Sequence, residues 1–395
     1  MAVDKGAAMV DDPGGTQDLL KSPVPVDSKS PEVVDPQLTG LCLSGGGYRA
    51  MLFHVGVLWR LNELGLLSRV NRISSVSGGS ITAGVLGLNW GKLAFQNGFA
   101  TAFGKLVVDP LREFARHTID ISSVITGALL PHVSISDKIA RHYADGLFQG
   151  ATLQALPDAP EFIICSTNVQ TGSLMRFSKK RMADWQLGEF QNPDIPLATA
   201  VAASSAFPPV LSPADLRLDE GKIQPLPGAT LNQPPYTTKL VLTDGGVYDN
   251  LGLEPVWKRC GTVLVSDAGQ KISPDPSPAE DWPRHMLRIL DIIDNQVRSL
   301  RKRQLIASYD NQDRKGTYWG IRSDIADYQV ASPLNCPHAA TLTIASIPTR
   351  LAKLEEPDQE KLINWGYAVC DAAIRKHVAP AAPAPAGFPY ARGVI

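Results

Sequence analysis

Hydrophobic positions early in the chain form two short continuous runs separated by a stripe at helical spacing. The runs at residues 38–43 and 70–76 have strand length, and each is followed by a serine and then a glycine. Apolar residues between them recur mostly every three positions, at Met51, Leu52, Val55, Leu58, Leu61 and Leu64. This spacing predicts a helix over residues 48–64 that ends at Gly65. Strands that alternate with helices predict a parallel sheet covered on both faces.

The later apolar runs extend this alternation towards the end of the chain. Further strands are predicted at residues 161–168, 174–178, 239–243, 262–266 and 316–322. Further helices are predicted at residues 79–88, 93–116, 197–210, 253–258, 285–308 and 358–377. Thr171 and Gly172 separate the first two of these strands, which predicts an antiparallel pair. Pro208 and Pro209 end a helix of small residues that can pack closely against a neighbouring backbone.

Both ends of the chain differ in composition from the periodic part. Residues 1–37 are rich in Asp, Pro, Gly and Ser and lack apolar periodicity, which predicts a flexible N-terminal arm. Residues 379–395 form a tail rich in Ala and Pro that is predicted to be extended. We expect residues 38–378, which contain no internal repeat, to form one domain.

Composition and charge narrow the classes of function. Of the 395 residues, 44% are hydrophobic and 19% are charged, which is typical of a globular protein. A net charge of −1 argues against duplex nucleic acid as a partner. The 5 cysteines are scattered without a CxxC pair, which favours a reducing compartment over structural zinc or disulfides. Without a secretory signal or an apolar run of about 18 residues, the sequence predicts a cytoplasmic protein with no transmembrane segment; peripheral membrane association is the alternative.

A serine on a sharp turn is the first candidate for chemistry. Ser77 follows an apolar strand and precedes two glycines and a helix, which is the context of a nucleophile elbow. Ser75 stands where such elbows usually have a glycine, and a small residue is sufficient there. A serine hydroxyl needs a base, and Asp244 is the best candidate because it ends an apolar strand before two glycines. With an ordinary pKa of about 3.9, it can act as a base only where water is excluded.

A glycine loop is the second candidate. Acyl transfer requires hydrogen-bond donors for the oxyanion that develops on the substrate. The backbone N–H groups of Gly45, Gly46, Gly47 and Gly78 are the candidates, because glycine has no Cβ to obstruct the substrate. Arg49 lies in the first turn of the helix that follows the loop. We expect it either to bind a phosphate group of the substrate or to brace the loop.

The glycine loop also fits a dinucleotide site in part. Gly45, Gly47 and Ala50 match the pattern G-x-G-x-x-A after a strand and before a helix. Such a site requires an acidic residue at the end of the second strand to hold the ribose. The second strand here ends in serines, so the sequence disfavours a dinucleotide cofactor.

A Ser-His-Asp triad is the other alternative. In the α/β-hydrolase order the histidine follows the acid, so with Asp244 as the acid only His285, His338 and His377 qualify. None of the three follows an evident strand, and we therefore favour a two-residue mechanism.

Four motifs in order resemble those of the patatin-like phospholipases. They are SGGGYRA at residues 44–50, SVSGGS at 75–80, AASSAFPP at 202–209 and the DGG that begins at Asp244. The first is also similar to the glycine loop of cytosolic phospholipase A2. Ser44 replaces an acidic residue common in patatins and Ser75 replaces a glycine, but neither change removes a catalytic group. The resemblance covers roughly residues 38–270.

This resemblance implies a three-layer α/β/α patatin-like fold with a central, mostly parallel sheet. It implies a Ser-Asp dyad that carries over to Ser77 and Asp244, and an oxyanion hole that carries over to residues 45–47. In the cytosolic enzymes an arginine that matches Arg49 is linked to the substrate phosphate. No calcium-binding lipid domain is evident in the sequence, so calcium dependence does not carry over.

The expected function is therefore that of a serine lipid acyl hydrolase, a phospholipase A or esterase without cofactor or metal. Its substrates are expected to be phospholipids or other acyl esters at a membrane surface, cleaved through an acyl-enzyme. Residues 120–136 and 212–236 are the candidates for membrane contact. The alternative is a ligand-gated or partner-gated effector with latent activity, in which residues 270–378 carry a regulatory surface.

Overall fold

A mixed sheet organises the chain, which we describe from a computed structural model for residues 34–119 and 135–395. The strands are β1 Asp35–Leu43, β2 Arg72–Val76, β3 Phe95–Gln96, β4 Phe99–Ala100, β5 Glu161–Asn168, β6 Ser173–Phe177, β7 Arg181–Asp184, β8 Gly188–Gln191, β9 Ala214–Arg217, β10 Lys239–Asp244, β11 Cys260–Asp267 and β12 Lys315–Gly320. The helices are α1 Gly47–Glu63, α2 Gly78–Asn89, α3 Asp109–Phe114, α4 Ile135–Tyr143, α5 Leu197–Ser204, α6 Gly246–Asp249, α7 Glu254–Trp257, α8 Trp282–Asp310, α9 His338–Ala345 and α10 Glu356–His377. The described residues belong to one compact unit.

Parallel strands form the centre of the sheet, in the order β12-β11-β1-β2-β5. Beyond β5 the sheet continues through the antiparallel strands β6, β7 and β8. β10 also pairs antiparallel with β5 and carries β9 on its other edge. The predicted α/β class with a central, mostly parallel sheet is confirmed, and so is the antiparallel pairing of β5 with β6.

Helices cover both faces of the sheet because successive side chains of a strand point to opposite faces. Leu41 and Leu43 of β1 belong to the main core, which α1, α2 and α10 complete. Cys42, between them, faces the other way into a smaller cluster with Val256 of α7 and Leu305 of α8. These two clusters define the outer layers of a three-layer arrangement.

The glycines at the contact between α1 and α10 fix the position of α1. A Cβ on Gly56 of α1 would lie 1.9 Å from the carbonyl oxygen of Ile363, and one on Gly366 of α10 would lie 2.0 Å from that of Phe53. The two helix backbones therefore touch, which leaves no room for a larger side chain. This contact anchors the helix whose N-terminus follows the glycine loop.

Two predicted elements differ from the structure. The helix predicted at residues 93–116 is interrupted, because Asn97 and Gly98 adopt φ values of 50° and 86° and turn the β3–β4 hairpin. Asn-Gly is a strong hairpin signal that outweighs the helical spacing of the phenylalanines. β1 begins at Asp35, opposite Cys260, and so includes three residues that the sequence assigned to the N-terminal arm. Residues 1–33 of that arm lie outside the described residues.

The C-terminal tail packs onto α10. The side chain of Asn364 donates to the carbonyl oxygens of Tyr390 and Gly393, and Arg60 of α1 donates to that of Pro383. Within residues 34–119 and 135–395, no helix has both the length and the apolarity that a membrane span requires.

Candidate active site

Two strands that approach from opposite directions meet along one edge of β5. β2 runs parallel to β5 and ends with Val76 opposite Cys165. β10 runs antiparallel to β5 and ends with Asp244 opposite Ser166. Because Cys165 and Ser166 are neighbours in β5, the C-terminal ends of β2 and β10 point at each other. The fold thereby brings Ser77, the first residue after β2, next to Asp244.

The backbone of Ser77 is strained. It has φ 51° and ψ −120°, a left-handed conformation that residues with a side chain rarely adopt. The residue forms the turn between β2 and α2 and is only 8% exposed. This strand–turn–helix geometry is that of a nucleophile elbow, in which the turn lifts the serine hydroxyl out of the sheet.

Asp244 is buried beside this hydroxyl. Burial raises the pKa of its carboxyl group to about 7, although the N–H of Gly246 and the side chain of Ser77 both favour the charged form. The Gly246 N–H donates to Oδ1 at 2.7 Å. Asp294 of α8 also acts in the raising direction, because it brings a second negative charge near the site. The result is a carboxyl group that changes charge near neutral pH.

The N-termini of two helices converge at Ser77. α1 begins at Gly47 and α2 at Gly78, and a Cβ on Gly78 would lie 2.1 Å from the carbonyl oxygen of Gly47. Neither helix has an acidic residue in its first turn. The first N–H groups of a helix have no partner within it and favour a negative charge. Both helix ends can therefore stabilise an anion beside Ser77.

The glycine N–H groups differ in their availability. Gly45 donates to the carbonyl oxygen of Asn250 at 3.1 Å, so this group is already engaged. Among the hydrogen bonds of the described residues, none uses the N–H of Gly46, Gly47 or Gly78 outside the helices. Gly46 and Gly47 have φ values of 144° and 60°, which glycine adopts without strain and other residues rarely do.

A buried histidine contacts the residue that precedes the glycines of the loop. His54 of α1 lies 2.9 Å from the carbonyl oxygen of Ser44 through Nε2 and 2.9 Å from Ser266 Oγ through Nδ1. A carbonyl can only accept, so Nε2 carries the proton and Nδ1 accepts from the Ser266 hydroxyl. Burial lowers the pKa of His54 to about 4, which keeps the ring neutral in this arrangement.

The comparisons with known proteins bear on this arrangement. A family model described as patatin-like phospholipase matches residues 41–257, which is more than half of the chain. The chain belongs to the patatin-like phospholipase family. The family predicted from the four motifs is confirmed. No curated protein matches the chain.

Solved structures of other proteins share the fold. Human GIVD cytosolic phospholipase A2 is similar at a TM-score of 0.50 and 13% identity, over 84% of this chain and 58% of that one. The chain thus spans less than two thirds of that protein, and an identity this low shows the fold alone. VipD from Legionella pneumophila is similar over 85% of this chain and 66% of that one, at 14% identity and a TM-score of 0.34 that carries no further argument.

Arg49 lies fully buried beside the glycine loop. Its Nη1 donates to the carbonyl oxygen of Ile347 at 2.6 Å, and its Nε and Nη2 donate to that of Ala268 at 3.2 Å and 2.9 Å. Burial, with Arg322 nearby, lowers its pKa to about 10. These contacts favour the bracing alternative, since Arg49 ties the loop to the end of β11. Binding of a substrate phosphate by Arg49 stays a prediction.

The histidines of the alternative triad lie in other contacts. Nδ1 of His285 is 3.2 Å from the carbonyl oxygen of Ala279, and Nδ1 of His338 is 3.4 Å from a carboxylate oxygen of Asp324. The ring of His377 packs edge-on against that of Tyr328. In the described part of the chain, none of these contacts involves Ser77 or Asp244.

Ser204 is a residue of the site that the sequence did not indicate. It ends α5, and its Oγ accepts from the N–H of Ser77 at 3.0 Å while it donates to the carbonyl oxygen of Cys165 at 2.6 Å. Its own carbonyl oxygen accepts from the N–H of Gly245 at 3.2 Å. Ser204 therefore connects the backbones on either side of the site. In the sequence it was one small residue among several, and only the fold distinguishes it.

We expect Ser204→Ala to lower kcat for ester hydrolysis by roughly tenfold to a hundredfold, with a smaller change in KM. The substitution removes the acceptor for the Ser77 N–H and the donor to Cys165, both in a buried region. Loss of such partners also costs about 1–3 kcal/mol of stability. Steady-state kinetics and urea unfolding measure the two effects.

Ser205→Ala is the matched control for this variant. Ser205 is equally buried at the end of α5, but its hydroxyl contacts Tyr143 and the carbonyl oxygen of Val201. We expect it to change stability and not kcat. Equal kinetic effects of the two variants would show that Ser204 does not position Ser77.

Proposed function

We propose that the protein is a serine lipid acyl hydrolase that uses Ser77 as nucleophile and Asp244 as base. The observation that carries this proposal is the position of the strained Ser77 beside a buried carboxyl group, which β2 and β10 bring together along β5 and whose pKa burial raises to about 7. A general base is most effective when its pKa lies near the working pH. An ordinary aspartate, with a pKa of about 3.9, has little affinity for the serine proton.

In the first half-reaction Asp244 accepts the proton of the Ser77 hydroxyl as Oγ attacks the ester carbonyl carbon. The negative charge that develops on the carbonyl oxygen is held by N–H groups at the two helix N-termini. Gly46, Gly47 and Gly78 are the proposed donors, because the N–H of Gly45 already binds Asn250. Collapse of the intermediate releases the alcohol, which takes the proton from Asp244, and leaves the acyl group on Ser77.

The second half-reaction repeats these roles with water. Asp244 accepts a proton from a water molecule that attacks the acyl-enzyme, and the same N–H groups hold the oxyanion. Collapse releases the fatty acid and returns the proton to Ser77. We propose phospholipids or other acyl esters at a membrane surface as substrates, reached from the cytoplasm. A ligand-gated or partner-gated form of this activity stays a prediction.

A fluorophosphonate probe tests the proposed nucleophile. The probe should form a stable phosphonate ester with one serine, and mass spectrometry of the digested protein should locate it in the peptide that contains Ser77. Ser77→Ala should abolish the labelling. Ser75→Ala, two residues earlier with its hydroxyl turned to the Ile163 carbonyl oxygen, should keep it and serves as the control. Labelling of a different serine in the unmodified protein contradicts the proposal.

Gating has a separate readout. A protein that resists the probe and is inert on short-chain esters, yet gains both properties when a small molecule or protein is added, is gated. A protein that reacts with the probe alone is not.

A further inference from the structure

The first two thirds of α8 expose large apolar side chains to solvent. Trp282 is 75% exposed, Ile293 is 54% exposed and Leu300 is 57% exposed. Six of the exposed apolar residues, most of them three or four positions apart, share one side of the helix and are here called the α8 stripe: Trp282, Met286, Ile289, Leu290, Ile293 and Leu300. Leu287 and Ile292 are also exposed but lie off this side. Such spacing places the residues on one side of a helix. Eighteen residues at a rise of 1.5 Å extend over about 27 Å.

The C-terminal half of α8 fixes this stripe to the body of the protein. Leu305 is buried in the cluster on the α7 side of the sheet. Tyr309 donates to the carbonyl oxygen of Val263 in β11 at 2.7 Å, and Arg301 forms an ion pair with Glu254 at 3.2 Å. Because these contacts orient the helix, the α8 stripe has a defined direction relative to the sheet.

The C-terminal end of the α8 stripe lies beside the candidate active site. Arg298, two residues before Leu300, donates to the carbonyl oxygen of Gln270, just after the β11 end that Arg49 ties to the glycine loop. α8 also contacts α6, which follows Asp244 directly. The stripe and the candidate site therefore lie on neighbouring segments.

Other exposed apolar side chains flank Asp244. Val247 of α6 is 50% exposed and follows Gly246, which donates to the Asp244 carboxylate. Phe207 is 54% exposed and follows Ala206, whose carbonyl oxygen accepts from the N–H of Asp244. Three separate segments thus expose apolar groups near one catalytic candidate.

We propose that the α8 stripe, with Val247 and Phe207, is the surface that docks the protein on an anionic phospholipid bilayer. This inference rests on the proposed function, because docking there would bring the lipid ester to Ser77. Amphipathic helices with Trp and Ile on one side and Arg on the other lie in the bilayer interface in this way. The surface differs from the two segments expected from the sequence. Residues 120–134 lie outside the described residues, and residues 212–236 contribute neither Val247 nor Phe207.

Charge favours a bilayer over a second copy of the chain. α8 contains six Lys or Arg and three Asp, although the whole chain has a net charge of −1. Arg303, exposed near the C-terminal end of the stripe, has the sign that anionic head groups attract, whereas Arg284 forms an ion pair with Asp281 at 2.5 Å. Two copies of the same basic helix packed together would repel each other.

Vesicle co-sedimentation tests the surface without any hydrolysis. The full chain is mixed with vesicles of ether-linked phosphatidylcholine and phosphatidylglycerol, which contain no carboxylic ester to cleave. The double variant Ile289→Gln, Ile293→Gln should bind these vesicles roughly tenfold more weakly or worse. Glutamine is a good helix former, and both positions are exposed, so the helix should persist. An unchanged thermal unfolding curve verifies this.

Phe99→Gln is the matched control. Phe99 is 40% exposed on the β3–β4 hairpin, which contacts α1 on the other side of the sheet, and its replacement should leave vesicle binding unchanged. Omission of phosphatidylglycerol or addition of salt should weaken binding by the unmodified protein. Trp emission should shift to shorter wavelength with vesicles, and most of this shift should disappear in Trp282→Phe.

Two results would overturn the proposed surface. One is vesicle binding by the double variant equal to that of the unmodified protein. The other is a dimer in sedimentation velocity that the double variant converts to a monomer, with vesicle binding unaffected, because a second copy is then the occupant. Failure of the proposed function gives a different result: the fluorophosphonate probe does not label Ser77, but the protein and its variants bind vesicles as expected.

Discussion

Ser77→Ala is expected to lower the rate of acyl-ester hydrolysis by roughly 10⁴-fold or more, the scale seen when a covalent nucleophile is removed. Without the hydroxyl no acyl-enzyme can form, and only the oxyanion donors and substrate binding remain to assist direct attack by water. The Ser77 side chain also favours the charged form of Asp244. Its loss should therefore raise the pKa of Asp244 further. Initial rates on a short-chain monomeric ester measure the main effect.

Ser205→Ala controls for the removal of a buried hydroxyl close to the site, as in the test of Ser204. The Ser77→Ala protein should keep the far-ultraviolet circular dichroism and the cooperative unfolding of the parent. A folded Ser77→Ala protein that retains more than a tenth of the parental activity contradicts Ser77 as the nucleophile. Activity that persists in Ser77→Ala and disappears on replacement of His285, His338 or His377 would favour a triad over the dyad.

Local sequence patterns predicted most of the sheet because each strand is a short apolar run bounded by turn residues. The strand predicted at residues 161–168 is β5, with the same bounds, and the edge strand at residues 316–322 is β12, shifted by one or two residues. The failure at residues 93–116 has a local cause, since the Asn97-Gly98 turn was present in the sequence but the aromatic spacing was given more weight. Elements with one dominant signal were predictable, and an element with two competing signals was not.

Only the part of the candidate site that is formed by residues adjacent in the sequence could be predicted. The strand–serine–glycine–helix pattern around Ser77 describes one turn, and the structure has that turn. The direction of β10 was not predictable, because an apolar run of six residues is the same whether the strand is parallel or antiparallel. Asp244 was expected among the ends of the parallel strands, whereas it reaches Ser77 from the opposite direction along β5.

Contacts between distant segments were the other part that the sequence could not supply. The engagement of the Gly45 N–H by Asn250 joins residues that are far apart in the chain, and so does the bond from Ser77 to Ser204. Each depends on how α5, α6 and the glycine loop pack at the end of the sheet. A Gly, an Asn and a Ser in these sequence contexts carry no local signal for such a role.

Asp244→Asn is expected to abolish hydrolysis and, above neutral pH, to stabilise the protein. Asparagine cannot accept the Ser77 proton, so the rate should fall by roughly 10³-fold or more. For stability, the folded state holds the Asp244 proton up to a pKa of about 7, whereas the unfolded chain releases it near 3.8. The folded protein thus binds more protons between these values, and stability must fall as pH rises through this window. Asparagine removes that loss, which amounts to at most about 4 kcal/mol.

Urea unfolding at pH 5 and pH 8 separates this effect from a general change in packing. The unmodified protein should be less stable at pH 8 than Asp244→Asn, and the difference should shrink at pH 5, where Asp244 is mostly protonated in the fold. The activity of the unmodified protein should rise with pH around an apparent pKa of about 7, because only the charged Asp244 carboxylate can act as the base. Asp184→Asn, at another buried carboxylate that lies outside the site, is the control for the removal of a buried charge without catalytic consequence. If Asp244→Asn is less stable than the parent at pH 8, burial does not raise the pKa of this carboxyl group to near neutrality. That result would contradict the proposal that Asp244 is the base.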